Sequence, residues 1–177
     1  MNLRKRAVIV GCFVLSAGLA YLRGQGPESS AYVLGWNDGE LLADAQGRTT
    51  SITVSPETGG TDLSFWTTEI PAGSDIIVHR HDRTEEILFV HRGAGTLLVD
   101  DEEWPVEEGD TIYVPRGTYH GLRNDSESEI VMAFVATPPD LVQFIRGMSW
   151  PIGSPRQITD DEIQELSERY DSIARPN

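Results

Sequence analysis

The stretch that decides the fold is "GSDIIVHRHDRTEEILFVHRG", residues 73–93. It contains three of the four histidines of the chain, together with the adjacent carboxylates Glu85 and Glu86. Residues two apart on a β-strand project to the same face, so a strand here presents His79 and His81 together. Imidazole and carboxylate groups are common ligands of transition metals in proteins. The clustering therefore predicts a metal site.

The second half of this stretch indicates which carboxylate belongs to the site. On the second strand, the side chains of Glu86, Leu88 and Val90 share one face. If the apolar pair Leu88 and Val90 faces the interior, Glu86 faces it too, at the end nearest the two histidines. The same alternation places Ile77 on the histidine face of the first strand, and it places His91 on the outer face as an ordinary surface histidine.

Outward from this stretch, the chain consists of short strand-like segments separated by Gly- and Pro-containing turns. Strands are predicted at 49–55, 61–70, 75–81, 86–91, 95–100, 111–115 and 129–137. This regular spacing is typical of a β-sandwich or barrel. Helical patterns occur only at 139–148 and 159–170, where Thr159 and Glu162 form the signature of a capping box. The sequence predicts an all-β fold with short C-terminal helices.

Two motifs in this pattern resemble those of the cupin superfamily. Residues 73–93 read G-x5-H-x-H-x4-E-x6-G, and residues 109–124 read G-x5-P-x-G-x2-H-x3-N. The chain is thus similar to small single-domain cupins of the quercetin-dioxygenase-like and germin-like kinds. The resemblance implies a double-stranded β-helix, or jelly roll, and its glutamate spacing selects Glu86 over Glu85. The metal ligands that it implies are His79, His81, Glu86 and His120.

The implied ligand set limits the cofactor and the function. Three imidazoles and one carboxylate suit a divalent transition metal, which we expect to be Fe, Mn, Ni, Cu or Zn. Four protein ligands around an octahedral ion leave two positions for water, dioxygen or substrate. We predict a small-molecule metalloenzyme of the dioxygenase kind, with Glu86 also a candidate base. Two alternatives stay open, because fold does not decide function: a non-redox isomerase or lyase, and a non-catalytic protein that binds a sugar or small organic acid.

Several further residues are predicted from their positions near the motifs. Trp66 or Phe65 is expected to line the pocket, because their strand neighbours the metal-bearing sheet. Tyr113 and Tyr119 flank the second motif and are candidates to reach the ligand. Asn124 lies four residues after His120, so we assign it to a turn or to a contact with a metal ligand rather than to ligation.

An apolar outer face is predicted on the far side of the same strands. Val78, Ile87 and Phe89 point away from the inferred pocket. Cupins commonly pair such faces, and an exposed apolar patch usually marks a partner surface, so we predict a homodimer. The alternative is that strands within residues 31–55 cover this face in the same chain.

The N-terminal residues differ in composition from the rest. A basic cluster at residues 4–6 precedes an apolar run at 7–22, which is typical of a secretory signal. An uncleaved membrane anchor through residues 7–22 and a lipoprotein modified at Cys12 are the alternatives. Each predicts an extracytoplasmic protein, either periplasmic or secreted. We divide the chain into a leader (1–24), a linker (25–30), a cupin β-barrel (31–140) and a C-terminal helical extension (141–177).

The charge excludes one class of partner. The formal net charge is −14 at pH 7, and a surface of this sign repels phosphate backbones. We therefore expect a small-molecule ligand and no nucleic acid. Cys12 is the only cysteine, so the domain after the leader has no disulfide, and its stability must come from a packed core.

Overall fold

The computed structural model describes residues 31–176. The predicted leader, its anchor alternative and the linker at 25–30 lie outside these residues. Within the described part of the chain, every helix is too short or too polar to span a bilayer.

Two antiparallel sheets face each other. The larger has seven strands in the order β11-β1-β2-β3-β10-β5-β8, and the smaller has five in the order β12-β4-β9-β6-β7. This arrangement is the predicted all-β jelly roll. The elements are β1 (Glu40–Ala43), β2 (Thr49–Val54), β3 (Ser64–Ile70), β4 (Asp75–Arg80), β5 (Glu85–Arg92), β6 (Ala94–Val99), β7 (Glu102–Glu107), β8 (Thr111–Val114), β9 (His120–Arg123), β10 (Ile130–Thr137), α1 (Leu141–Met148), β11 (Trp150–Pro151), α2 (Asp160–Tyr170) and β12 (Ile173–Ala174).

Three barrel strands, β1, β7 and β9, were not predicted from the sequence. β7 reads "EEWPVE", and an internal proline argues against a central strand because it cannot donate a ladder hydrogen bond. The structure places β7 at the edge of the smaller sheet, where a proline is tolerated. β1 and β9 have four residues each, which is too short for a clear alternating pattern.

The apolar core lies between the two sheets. Leu88 and Val90 of β5 are 3% and 0% exposed, so the predicted inner face of this strand is confirmed. Met132 of β10 is buried beside them, and Leu97 of β6 and Leu122 of β9 are buried on the opposite sheet. Glu86 therefore enters the interior together with the apolar residues of its own strand, as the alternation requires.

Strand β4 departs from simple alternation, and one prediction was wrong there. The pairing register of β4 with β9 shifts between Ile76 and His79. Such a shift is typical of a β-bulge, which inserts an extra residue into one strand. As a result Ile76 packs against the core. Ile77, which alternation placed behind the histidines, is 60% exposed.

The outer face of β5 is partly covered. Ile87 and Phe89 are 45% and 38% exposed, as predicted. The inclusion of Val78 in this face was wrong, because β4 belongs to the smaller sheet and β5 to the larger one. The segment before β1 reaches this face, since the Trp36 ring stacks on His91 with ring centroids 4.4 Å apart. Strands β1 and β2 extend the sheet beyond β3 and do not cover Ile87 or Phe89. Pairing of this face with a second copy stays a prediction.

The C-terminal helices pack against each other and against the barrel. A Cβ placed on Gly147 of α1 would lie 2.4 Å from a methyl carbon of Leu166 in α2, so a larger residue at this position would displace the Leu166 side chain. Arg146 of α1 binds the carboxylates of Glu40 and Glu57, each at 2.7 Å. These contacts attach the helices to the barrel wall.

Each sheet also gains a strand from the C-terminal segment. β11 pairs with β1 and β12 pairs with β4, and neither strand was predicted, because two residues carry no pattern. The predicted capping box of α2 is confirmed: Thr159 Oγ1 accepts from the Glu162 amide, and the Glu162 carboxylate accepts from the Thr159 amide. The segment at 141–176 thus contributes one edge strand to each sheet.

Candidate metal centre

The structure brings the four sequence-predicted ligands together. His79 on β4 lies opposite His120 on β9, His81 follows directly after β4, and Glu86 is near the start of β5. One ligand atom from each of the four lies within 4.8 Å of all the others. His120 Nε2 is 3.0 Å from Glu86 Oε2, and His81 Nε2 is 3.3 Å from the same oxygen. Three of the side chains are buried and His79 is half-buried.

The hydrogen bonds of the imidazoles direct one nitrogen of each ring toward the centre. Every Nδ1 lies against a backbone carbonyl, which can only accept, so Nδ1 carries a proton, and a neutral ring then presents the lone pair of Nε2 to the centre. This arrangement is typical of metal-binding histidines. The Nδ1 contacts are His79 to Ile77 O, His81 to Asp171 O and His120 to Thr118 O.

One buried atom in this cluster lacks a partner. Within residues 31–176, His81 Nε2 is buried without a hydrogen bond, because the geometry of its approach to Glu86 does not make one. A buried polar atom left unpaired is costly. A metal ion held by Nε2 would remove that cost, so the cluster fits the predicted class of cofactor, a divalent transition metal.

The electrostatics of the cluster also suit a cation. Burial, together with the neighbouring imidazoles of His120 and His81, lowers the pKa of His79 to about 3, so this ring is neutral at pH 7. Burial alone would raise the pKa of Glu86, but His120 and His81 outweigh it and hold that pKa well below its usual range. Metal ligands must be deprotonated, and both groups meet this condition.

Asp171, which the sequence did not single out, fixes the position of His81. It caps the C-terminus of α2 in a left-handed conformation with φ 63°. Its carbonyl accepts from His81 Nδ1, and its buried carboxylate accepts from three consecutive backbone amides. These donors are Asp82 N at 2.9 Å, Arg83 N at 2.6 Å and Thr84 N at 3.1 Å. Asp171 therefore holds the turn between His81 and Glu86 from a distant part of the chain.

Glu85 lies outside the cluster. Its carboxylate accepts from the Tyr113 hydroxyl at 2.9 Å and lies 3.9 Å from Arg116. Tyr113 itself is exposed, so it does not reach the ligand site as the sequence had indicated. The structure thus separates the two adjacent glutamates onto opposite faces of β5.

The remaining predicted residues divide between the pocket and its support. Trp66 is buried and lines the cavity beside the cluster, whereas Phe65 projects to the other face of β3. The Tyr119 hydroxyl accepts from Arg80 at 2.8 Å and does not line this cavity. Asn124 is fully buried, and its amide donates to three backbone carbonyls, which is the turn role predicted for it.

A cavity of about 230 Å³ extends from the four ligands into the barrel. Its lining comes from both sheets and from helices α1 and α2. Most of the lining surface is apolar, including Trp66, Leu88, Phe134, Phe144, Ile145 and Met148. A ligand bound here would contact the metal site and side chains of the C-terminal helices.

The fold and the two motifs are those of a cupin domain. A family model described as a cupin domain matches residues 66–136, a range that contains all four ligands. A solved RmlC-like cupin from Shewanella frigidimarina superposes with a TM-score of 0.53 at 18% identity, and the match covers 62% of this chain and 92% of that one. Residues 66–136 are thus a cupin domain, and the described chain has the jelly-roll fold.

The similarity to curated proteins covers only part of each chain. An uncharacterised protein of Methanocaldococcus jannaschii is 34% identical over 70 residues, 40% of this chain and 56% of that protein. The quercetin 2,3-dioxygenase of Bacillus subtilis is 29% identical over 111 residues, 63% of this chain and 33% of that enzyme. The chain therefore spans about half the length of the first relative and a third of the second.

Proposed function

We propose that this protein is a metal-dependent enzyme of the dioxygenase kind that acts on a small organic molecule. In this proposal His79, His81, Glu86 and His120 hold one divalent transition-metal ion. The observation that carries it is that the cluster lines a largely apolar cavity. Active sites typically combine such a cavity with a few convergent polar groups.

The residues of the chain have separate tasks in this site. A bound divalent metal supplies Lewis-acid chemistry, and one-electron chemistry if it is redox-active. The backbone carbonyls at Nδ1 fix the three rings, so that each Nε2 points inward. We assign Glu86 to ligation rather than to proton abstraction, because its depressed pKa makes it a weak base. The apolar cavity walls exclude water from the reacting molecule.

The dioxygenase class is favoured over the two alternatives by one comparison. The match to the quercetin 2,3-dioxygenase extends over 63% of this chain. That enzyme is three times as long as the matched part, so its own substrate does not carry over. The likeness supports oxygen-dependent chemistry at the metal centre without naming the molecule that is oxidised.

Oxygen uptake by protein loaded with single metals tests the proposal. Metal-free protein is reconstituted separately with Fe(II), Mn(II), Ni(II), Cu(II) and Zn(II), and each form is screened against a panel of small organic acids and phenols. We expect substrate-dependent oxygen consumption with a redox-active metal and none with Zn(II). Turnover that proceeds with Zn(II) and consumes no oxygen would instead support the isomerase or lyase class. Binding without turnover under any metal would support the binding protein.

We also propose that the protein works outside the cytoplasm. The support is the basic-then-apolar pattern of residues 1–24, which also leaves open a membrane tether through residues 7–22. Cell fractionation followed by intact-mass measurement tests this. A mature chain that begins between residues 21 and 30 in the extracytoplasmic fraction is expected, and full-length chain in the cytosol would contradict it.

A further inference from the structure

The composition of the cavity restricts the chemistry of its ligand. Trp66 and Phe134 form one wall, with their rings stacked at 5.2 Å and nearly parallel. Leu88 of β5 and Phe144 and Ile145 of α1 also line the cavity. The hydroxyls of Thr50 and Thr68 line it too, but they hydrogen-bond to each other. Outside the metal cluster and the Asp44–Arg48 pair, the other polar side chains of the described lining are Gln46, Ser149, Ser167 and Ser172. A ligand rich in hydroxyl groups would outnumber these partners, and its unpaired hydroxyl groups would be costly in largely apolar surroundings.

The charged groups around the cavity further restrict the chemistry of its ligand. Among the described lining residues, Arg48 is the only lysine or arginine. Its Nε donates to Asp44 Oδ2 at 2.5 Å and its Nη1 donates to the Asp75 carbonyl at 2.8 Å. Arg48 and Asp44 therefore neutralise each other, and Arg48 has no free charge for a ligand. Glu86 is the remaining acidic group of the lining.

With a divalent ion in the cluster, the site carries one net positive charge. Three neutral imidazoles add nothing, and the Glu86 carboxylate cancels one of the two charges of the ion. Buried charge is costly unless it is paired. A ligand with one negative charge completes the neutralisation, whereas a second negative charge would enter a cavity with no free cation.

We propose that the cavity binds a monoanionic oxygen acid with an apolar body, whose acidic oxygen lies at the metal centre and whose body lies between the Trp66–Phe134 wall and α1. This inference rests on the metal-dependent function proposed above. It disfavours sugars, because of their hydroxyls, and it disfavours dicarboxylates and phosphorylated compounds, because of their second charge. The cavity volume of about 230 Å³ is below the roughly 300–1,000 Å³ of pockets for drug-sized ligands, so the body is small.

A matched set of probe ligands tests this inference by binding alone, with no need for catalytic turnover. The zinc-loaded protein is titrated calorimetrically with 4-methylbenzoate, with terephthalate and with gluconate. Terephthalate has the shape of 4-methylbenzoate with a second carboxylate in place of the methyl group, and gluconate has the same single charge on a polar body. We expect 4-methylbenzoate to bind more tightly than either by about tenfold or more. Equal or tighter binding of terephthalate or gluconate overturns the inference, as does absence of 4-methylbenzoate binding.

A variant that adds a cation to the cavity sharpens the test. Met148→Lys exchanges two unbranched side chains of similar length in the last turn of α1, where a positive charge is compatible with the helix dipole. We expect terephthalate binding to improve by about tenfold, with little change for 4-methylbenzoate. Gln164→Lys is the matched control, since Gln164 is exposed on α2 and does not line the cavity. Improvement of terephthalate binding in both variants, or in neither, contradicts the cavity assignment.

The zinc content of each sample separates the two proposals. Zinc-loaded protein that ranks the probes in another order overturns the ligand class and leaves the metal centre intact. Protein that takes up no zinc and no other divalent transition metal overturns the proposed function, and the ligand class with it. Probe binding in the expected order without oxygen consumption under any metal supports the ligand class and removes the dioxygenase assignment.

Discussion

The barrel strands and the C-terminal segment contribute different parts of the same site. The barrel supplies all four candidate ligands, from β4, β5, β9 and the turn after β4. The segment at 141–176 supplies the carbonyl and carboxylate of Asp171 and part of the cavity lining. The family match ends at residue 136, before this segment begins. The part that matches the cupin domain thus carries the four candidate ligands, whereas the C-terminal segment positions one of them and lines part of the cavity.

Loss of a barrel ligand should have the largest effect on metal binding. We expect His81→Ala and Glu86→Gln to lose most of their metal, because each removes one donor from a four-donor set. Glu85→Gln is the matched control for the carboxylate, since Glu85 contacts Tyr113 on the other face of β5. Native mass spectrometry of the three variants measures the metal stoichiometry. Full occupancy in His81→Ala, or loss in Glu85→Gln with retention in Glu86→Gln, contradicts the assignment of ligands.

A change at Asp171 should weaken metal binding without abolishing it. Asp171→Asn keeps the size of the side chain and tolerates the left-handed backbone, but it replaces a carboxylate that accepts from three amides. Outer contacts of metal ligands are typically worth about 10–100-fold in affinity, and we expect about tenfold here. Competition with a chelator, together with the visible spectrum of the Co(II) form, reports affinity and ligand geometry separately.

The matched control for Asp171 lies on the same helix. Asp161 is exposed in the first turn of α2, so Asp161→Asn should keep the affinity and the Co(II) spectrum of the natural protein. If Asp171→Asn behaves in the same way, the C-terminal segment has no role in the metal centre. A loss of thermal stability with an unchanged Co(II) spectrum would also contradict the positioning role, because it would show a purely structural contact.

The two regions also differ in how far the sequence predicts them. Alternation along β5 correctly predicted that Leu88, Val90 and Glu86 are buried, because the strand is regular. Alternation failed at Ile77, because a register shift in β4 changes which residues of that strand face the interior. The motif spacing identified a set of four residues that the structure brings together. These features depend on local pattern, which a sequence displays directly.

The contribution of the C-terminal segment has no such local pattern. The contact between His81 and Asp171 joins residues 90 positions apart, and nothing in the sequence around Asp171 marks it as a partner of a metal ligand. Thr159 and Glu162 predicted the N-terminal cap of α2. They did not predict where this helix packs against the rest of the molecule. The apolar cavity likewise arises only when residues of both sheets and α1 meet.

A change at the start of α2 should reduce stability while sparing the metal site. Thr159→Ala removes the hydroxyl that accepts from the Glu162 amide, and such caps contribute about 1 kcal/mol. Because Ile163 and Leu166 still pack against neighbouring residues, we expect α2 to remain in place and the metal affinity to stay unchanged. Urea denaturation and chelator competition measure the two quantities. Thr159→Ser should restore stability, and a tenfold loss of metal affinity in Thr159→Ala would show that the cap and the site are coupled.

The smallest effect is expected where α1 is attached to the barrel by charge. Burial alone would raise the pKa of Glu57, but Arg146 at 2.7 Å, together with hydrogen bonds from Ser55, Gln143 and the backbone, lowers this pKa to about 2 from an ordinary value of 4.5. A carboxyl group with a lowered pKa stabilises the fold above its unfolded pKa. That stability is lost as the pH falls from about 4.5 toward 2.

Glu57→Gln tests this ion pair through its pH dependence. Since Glu57 is largely exposed, solvent screening limits the pair to about 0.5–1 kcal/mol at pH 7. We expect the variant to be less stable than the natural protein by that amount at pH 7, and the difference to vanish near pH 2. Glu165→Gln, on the exposed face of α2, should show no difference at either pH. A stability difference for Glu57→Gln that persists unchanged at low pH would mean that packing, rather than charge, attaches α1 to the barrel.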